Sequence, residues 1–210
     1  MVESFLGAFS ALFSVVNPLG AIPVFLMLSG ATNMQERRQQ AFKITLFMIL
    51  ILSTFFFAGN WILNFFGIAL DHVKIAGGIM ICTSAMSLLG KEAFKGKPMA
   101  KEVKEEGLHK EDITFTPMAM PLLSGPGAIA LMMSMYGRID THGFLGVFGI
   151  LLAVVLVAAV TCIILIFSAR LNKFLGKAGM AALSKMMGFI TLSIGISMIL
   201  TGLVSVFGLK

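Results

Sequence analysis

The amino-acid sequence predicts an all-α protein that crosses a membrane several times. Hydrophobic residues make up 58% of the 210-residue chain and charged residues 12%, which is about half the charged share of a soluble domain. The mean hydropathy is +0.96. Apolar runs recur along the chain, and six of them reach the roughly 20 residues that a helix needs to cross a bilayer. These observations exclude a water-soluble globular protein.

The six predicted spans alternate with polar loops. They cover residues 4–29, 43–66, 72–90, 114–136, 143–169 and 186–208. The third is the shortest, and its glycines Gly77, Gly78 and Gly90 weaken the helical pattern. No basic segment or cleavage-site pattern accompanies the first run, so we expect a retained span and not a signal peptide.

The distribution of basic residues predicts the orientation in the membrane. Cytoplasmic loops carry an excess of Lys and Arg. Of the 16 basic residues, 13 fall in alternate loops or at their edges: Arg37, Arg38, Lys43, Lys91, Lys95, Lys97, Lys101, Lys104, Lys110, Arg170, Lys173, Lys177 and Lys185. This bias predicts a multi-pass protein of the inner (cytoplasmic) membrane with both termini outside. The net charge of +6 therefore reflects topology, and we expect no nucleic-acid partner.

One long hydrophilic stretch divides the chain into two halves. Residues 91–113 form a charged cytoplasmic connector, either a plain solvated loop or a regulatory one, between three-helix repeats at 1–90 and 114–210. Three spans per half reverse the direction of the second half, which predicts a 3+3 inverted-topology repeat within one membrane unit. Weak internal similarity supports it, since Gly-Ala-Ile occurs near a proline at 20–22 and again at 127–129.

Prolines and glycines interrupt the first and fourth spans near their centres. Paired interruptions in the two halves of a transporter point to its substrate site, so we expect both helices to be broken at mid-membrane. The substrate-binding residues predicted on this basis are Asn17, Pro18, Gly20, Ala21, Pro23, Ser124, Gly125, Pro126 and Gly127. The alternative is a pair of proline kinks without a functional role.

The spans carry no ionisable side chain between their ends, so no acid–base or metal-dependent enzyme can be constructed from them, and we expect no enzyme and no cofactor. A half-helix N-terminus binds carboxylate, and unwound carbonyls accept hydrogen bonds from ammonium, which together fit a small zwitterion. Four hydroxyls either line the same cavity or join helices: Thr83, Ser84, Thr191 and Ser193. A coupling ion, Na⁺ or H⁺, remains open, as does a metal.

Four sequence motifs together resemble one known family. They are residues 14–25 (SVVNPLGAIPVF), 76–79 (AGGI), 117–129 (PMAMPLLSGPGAI) and 187–188 (MG). Over essentially the whole chain they resemble the MarC family of inner-membrane proteins. The resemblance implies transport of small neutral amino acids such as glycine and alanine, and a relation to the lysine-exporter superfamily with its three-plus-three inverted arrangement.

Three functions are compatible with these patterns. The first is a secondary transporter of small neutral amino acids that works by alternating access. A passive channel for small solutes and a non-transporting regulatory or structural membrane subunit are the alternatives. The expected partners are a zwitterionic substrate and membrane lipid, and the sequence leaves open whether the chain forms a homo-oligomer.

Overall fold

The chain is helical throughout the residues that the structure, a computed structural model, describes: 2–30, 33–90, 112–136 and 143–208. The helices are α1 (Val2–Val16), α2 (Pro18–Ser29), α3 (Met34–Phe66), α4 (Leu70–Leu89), α5 (Pro126–Tyr136), α6 (Gly143–Ile166) and α7 (Ser168–Phe207). A proline-rich segment, Thr114–Leu123, precedes α5 and is called the proline segment below. The predicted all-α class is confirmed for these ranges. The predicted connector at 91–113 lies outside the described residues as far as residue 111.

Five stretches of the described chain are long and apolar enough to cross a membrane: Phe5–Ser29, Met34–Phe66, Leu70–Leu89, Phe144–Ile166 and Ala178–Phe207. The proline segment and α5 pass the same test together, with a bend of 62° between them. Counting this bent pair as one span gives six. Large apolar side chains such as Phe144 and Phe174 are more than four-fifths exposed, as expected of a surface that faces lipid.

Two helices begin earlier than the hydropathy pattern predicts. The second span was expected from residue 43, yet α3 begins at Met34 because Asn33 and Glu36 form a capping box. The Asn33 side chain accepts a hydrogen bond from the Glu36 N–H at 2.8 Å, and Glu36 Oε2 accepts one from the Asn33 N–H at 3.2 Å. With 33 residues, α3 is about 50 Å long and exceeds the hydrocarbon core.

The last helix also exceeds its predicted span of 186–208. α7 begins at Ser168, directly after α6, and is interrupted at Gly176, which has a left-handed φ of 61°. Glycine adopts this backbone conformation without the steric cost of a Cβ atom. The membrane-crossing part of α7 therefore begins at Ala178, and a short basic helical arm joins it to α6.

The glycines of the third span serve close packing and do not weaken the helix. α4 runs without interruption from Leu70 to Leu89 and lies antiparallel along α7. A Cβ atom on Gly78 would lie 2.7 Å from the Gly195 carbonyl oxygen, and one on Gly202 would lie 2.9 Å from the Asp71 carbonyl oxygen. Small residues allow this backbone-to-backbone approach between membrane helices.

Extensive contacts between the described helices join the two halves of the chain. α4 packs along α7, α1 and α3 pack on α6, and both α3 and α4 pack on α5. α2 packs on α7. Within one half, the described helices make a comparable contact at the junction of α6 and α7. The fully buried side chains between them are large and apolar, among them Leu12, Phe25, Phe56, Met132 and Leu165.

Charged residues mark the two ends of the bundle. Lys43 Nζ lies 3.6 Å from Asp112 Oδ2, which sets the start of the proline segment beside α3 at the end called here the basic end. At the opposite end, called the far end, Lys74 Nζ contacts Asp71 Oδ1 at 2.7 Å. Ser205 donates a hydrogen bond to Asp71 Oδ2, also at 2.7 Å, so this cluster ties α4 to α7.

Candidate functional site

The chain leaves helical geometry at Asn17, between α1 and α2. Asn17 adopts a left-handed conformation, φ 47° and ψ 63°, which Asn tolerates better than most residues with a Cβ atom. Its side-chain oxygen accepts a hydrogen bond from the Gly20 N–H at 3.1 Å, and so caps the first turn of α2. A Cβ atom on Gly20 would lie 2.5 Å from Asn17 Nδ2, so glycine leaves room for the cap.

The fourth span departs from helical geometry more strongly, in the proline segment. Thr116 and Met120 are extended, with φ/ψ of −119°/122° and −133°/127°, and each precedes a proline that disfavours helical geometry there. Both of these X–Pro peptide bonds are cis. The Met118 N–H reaches the Ile113 carbonyl at 3.2 Å, five residues back. The segment is therefore wound more widely than an α-helix.

The N-terminus of α5 lacks the side-chain cap that α2 has. Pro126 is the first helical residue and Gly125 stands before it. The Gly125 carbonyl accepts the Ile129 N–H at 3.0 Å, but glycine has no side chain that could accept the first N–H groups. The N–H groups of Gly127 and Ala128 therefore have no partner within the helix. A Cβ atom on Gly125 would lie 2.5 Å from the Pro121 carbonyl oxygen, so the bend itself requires glycine.

A cavity of about 400 Å³ lies against this uncapped helix end. It extends from the bend towards the basic end, since its α4 lining continues from the middle of that helix to Ser87. Most of its lining comes from α4 and from the bend, and the complete set is Val15, Met80, Ile81, Thr83, Ser84, Ser87, Pro121, Leu122, Leu123, Gly125, Pro126, Gly127, Ala128 and Thr191.

The predicted site residues divide into three groups. Those that line the cavity are Gly125, Pro126, Gly127, Thr83, Ser84 and Thr191. Those that lie in helix packing outside the lining are Asn17, Pro18, Gly20, Ala21 and Ser124. Pro23 and Ser193 are exposed on the outer surface of the bundle. The Ser124 side chain is fully buried, and its hydroxyl has no hydrogen-bond partner among the described residues.

Three lining residues were not predicted. Ser87 follows Met80, Thr83 and Ser84 at helical spacing, so the pattern i, i+3, i+4, i+7 could have indicated it. Ile81 and Leu122 carry no such signal. Ile81 lies on the Gly127 backbone, where a Cβ atom on the glycine would come within 2.7 Å of Ile81 Cγ1. That contact depends on how α4 packs against α5.

The cavity is uncharged, but its walls are polar in an ordered way. None of its lining residues is ionisable. The Thr83 hydroxyl donates to the Met80 carbonyl at 2.9 Å, and the Ser87 hydroxyl donates to the Ser84 carbonyl at 2.6 Å. The N-terminus of α5 contributes the partial positive charge of unpaired N–H groups. In the part of the chain that the structure describes, no group of three or more His, Cys, Asp or Glu side chains is arranged to hold a metal ion.

Asp112 anchors the start of the proline segment at the basic end. Its Oδ1 accepts hydrogen bonds from the Thr114 hydroxyl at 2.5 Å and from the Thr114 N–H at 2.9 Å. Together with the nearby Lys43 ammonium group, these bonds stabilise the carboxylate and lower the pKa of Asp112 below its ordinary value of 3.8. The bend thus begins from a fixed point beside α3.

The helical bundle and its lipid-facing surface define an integral, multi-pass membrane protein. The sequence matches the MarC family of integral membrane proteins over residues 2–207, and the chain belongs to that family. The predicted resemblance is therefore confirmed.

Relatives in bacteria and archaea match over almost their full lengths. The UPF0056 membrane protein YhcE of Escherichia coli (strain K12) is 33% identical over 199 residues, which are 95% of this chain and 91% of the relative. YvbG of Bacillus subtilis (strain 168) is 32% identical over 200 residues, 95% and 93% of the two chains. A UPF0056 membrane protein of Methanocaldococcus jannaschii is 35% identical over 202 residues, 96% and 97%. No solved structure matches the chain.

Proposed function

We propose that this protein is a secondary transporter of small neutral amino acids, such as glycine and alanine, in the inner membrane. The observation that supports this best is the cavity beside the uncapped N-terminus of α5. The first N–H groups of a helix and its dipole bind an anion without a basic side chain. The substrate carboxylate would occupy the place that a capping side chain occupies in α2.

The lining supports a small, uncharged substrate. A volume of about 400 Å³ falls in the range of ligand-binding cavities. The site is formed at Gly125 and Gly127, and Ile81 lies directly on Gly127, so a bulky side chain would have to displace that isoleucine. An extra charge on the substrate would remain unpaired, because no lining residue is ionisable.

The helix contacts support an inverted 3+3 repeat with broken first and fourth helices and both termini outside. Under that repeat, the first span corresponds to the proline segment with α5, α3 to α6, and α4 to α7. The packing of α1 on α6 then mirrors the packing of α5 on α3, and the packing of α2 on α7 mirrors that of α5 on α4. A Cβ atom on Gly78 would meet the Gly195 carbonyl oxygen, and one on Gly188 would meet the Ala85 carbonyl oxygen, as a two-fold axis requires.

Alternating access gives these contacts a role in transport. The cavity extends to the basic end, which the positive-inside rule assigns to the cytoplasm. Towards the far end, a methyl group on Gly77 would overlap Ala130, and Ser205 is bonded to Asp71. A carrier in this state accepts substrate from the cytoplasm. The opposite state would open the contacts at the far end and close the cavity.

Uptake of labelled glycine and alanine into proteoliposomes tests the proposal, with and without amino acid loaded inside. We expect saturable uptake that internal amino acid stimulates, and loss of that uptake in Gly125→Leu. Gly7→Leu is the matched control, because a Cβ atom on Gly7 meets no other atom within 4 Å. Flux that does not saturate would favour the channel. A folded protein without uptake of either amino acid would exclude the proposed function.

A further inference from the structure

The Thr191 hydroxyl lies between two backbone carbonyls at the wall of the cavity. Thr191 Oγ1 is 2.8 Å from the Ser14 carbonyl oxygen of α1 and 2.8 Å from the Met187 carbonyl oxygen, one turn back in α7. Thr191 is 3% exposed and lines the cavity. The hydroxyl thus connects the last span to the first, close to the interruption at Asn17.

The Ser14 carbonyl is available because of the proline that follows it. In an uninterrupted helix this carbonyl would accept the N–H of residue 18, but that residue is Pro18, which has none. The chain turns left-handed at Asn17 just before it. A buried carbonyl without a partner is costly in a membrane protein, and Thr191 supplies the missing donor.

The two neighbours determine what Thr191 can offer to a ligand. A hydroxyl has one proton to donate and two lone pairs that accept. Both neighbours are carbonyls and can only accept, so the proton goes to one of them whichever it is. No described residue donates to Thr191 Oγ1. The oxygen therefore remains an acceptor, and the Thr83 and Ser87 hydroxyls, which also donate to carbonyls, are acceptors for the same reason.

We propose that Thr191 binds the ammonium group of the substrate and so fixes its direction in the cavity. This inference rests on the proposed function. The carboxylate lies at the N-terminus of α5, where the free groups are donors, and the ammonium group lies at Thr191, where the free groups are acceptors. The reverse orientation would place like partial charges together at both ends of the molecule.

Alanine binding to the purified protein tests the role of Thr191, with propionate and ethylamine as ligands that carry one end each. Thr191→Val keeps the shape of the side chain and removes the hydroxyl, whereas Thr191→Ser keeps the hydroxyl. Thr201→Val is the matched control, since the Thr201 hydroxyl donates to the Ser197 carbonyl at 2.7 Å one turn back on the same helix but does not line the cavity. Unfolding temperatures measured alongside report any general loss of structure.

The expected result is about tenfold weaker binding of alanine by Thr191→Val, the effect of losing a hydrogen bond to a charged group. Ethylamine should weaken in parallel and propionate should not. Thr191→Ser should restore alanine binding, and Thr201→Val should leave it unchanged. Unaltered alanine affinity in Thr191→Val, or an equal loss for propionate, would overturn this assignment. Absence of alanine binding in the unsubstituted protein would instead refute the proposed function itself.

Discussion

Gly78 of α4 and Gly195 of α7 approach each other backbone to backbone. A Cβ atom on Gly78 would lie 2.7 Å from the Gly195 carbonyl oxygen, and a Cβ atom on Gly195 would lie 2.9 Å from the Gly78 carbonyl oxygen. The contact is reciprocal, so each glycine makes room for the backbone of the other. It fixes the crossing of the two helices that carry most of the hydroxyls of the cavity.

This contact predicts that Gly78→Ala destabilises the protein by about 1–3 kcal/mol, because the added methyl group forces two backbones apart. Gly7→Ala is the matched control, as its methyl group would meet no other atom within 4 Å. That substitution should be neutral or stabilise slightly, since alanine favours helix over glycine. Thermal unfolding in detergent measures both. Equal unfolding temperatures for the two variants would contradict the close packing.

The two asparagine caps predict different costs of substitution. Asn33 has an ordinary extended φ of −72°, so Asn33→Ala should cost about 1 kcal/mol, the value of the cap. Asn17 also has a left-handed backbone, so Asn17→Ala should cost about 2 kcal/mol. Asn17→Gly should lose only a few tenths of a kcal/mol because glycine accepts positive φ. Unfolding free energies that rank Asn17→Gly below Asn17→Ala would be inconsistent with this geometry.

The contact of Ile81 with Gly127 predicts a compensating pair. Gly127→Ala places a methyl group 2.7 Å from Ile81 Cγ1, which should push α5 away from α4 and reduce alanine binding several-fold. Ile81→Ala removes that carbon. The double variant should therefore bind alanine within about a factor of two of Ile81→Ala alone. Strictly additive losses in the double-mutant cycle would show that the two residues do not act on each other.

The carboxylate of Asp112 predicts a dependence of stability on pH. Its pKa is lowered in the folded protein, chiefly by the Thr114 hydroxyl, so its contribution is present above the ordinary value of 3.8 and is lost as the pH falls through the folded value. The group is mostly exposed, and the contribution should stay below about 1 kcal/mol. The difference in unfolding temperature between the unsubstituted protein and Asp112→Asn should be present at pH 7 and vanish near pH 2. A constant difference would argue against it.

Sequence patterns predicted the helical class and the family, because both depend on local features. Apolar length identifies a span, and prolines mark where a helix loses a donor. Helix ends in water were harder to predict, since hydropathy does not report a capping box, and α3 begins nine residues before its predicted span. The glycines of α4 were read as a weakness because their benefit lies in α7, more than a hundred residues away.

The cavity was only partly predictable for a similar reason. The residues at the bend, such as Gly125 and Pro126, follow from the local chemistry of proline and glycine. Thr191 and Ile81 depend instead on which distant helix face meets the bend. The acceptor character of Thr191 needs the positions of two carbonyls, one of them 177 residues away along the chain. Sequence spacing within one helix contains no information about that distance.

The packing between halves has a consequence for how the protein is made. The first three spans leave the ribosome before the last three, yet the extensive partners of α1, α3 and α4 are α5, α6 and α7. Insertion into the bilayer and assembly of the core are therefore separate events in time. Until translation is complete, the glycine faces of α4 and the interruption at Asn17 remain uncovered among lipids. Chaperones of the membrane, and not only its thickness, become part of the environment in which this sequence must succeed.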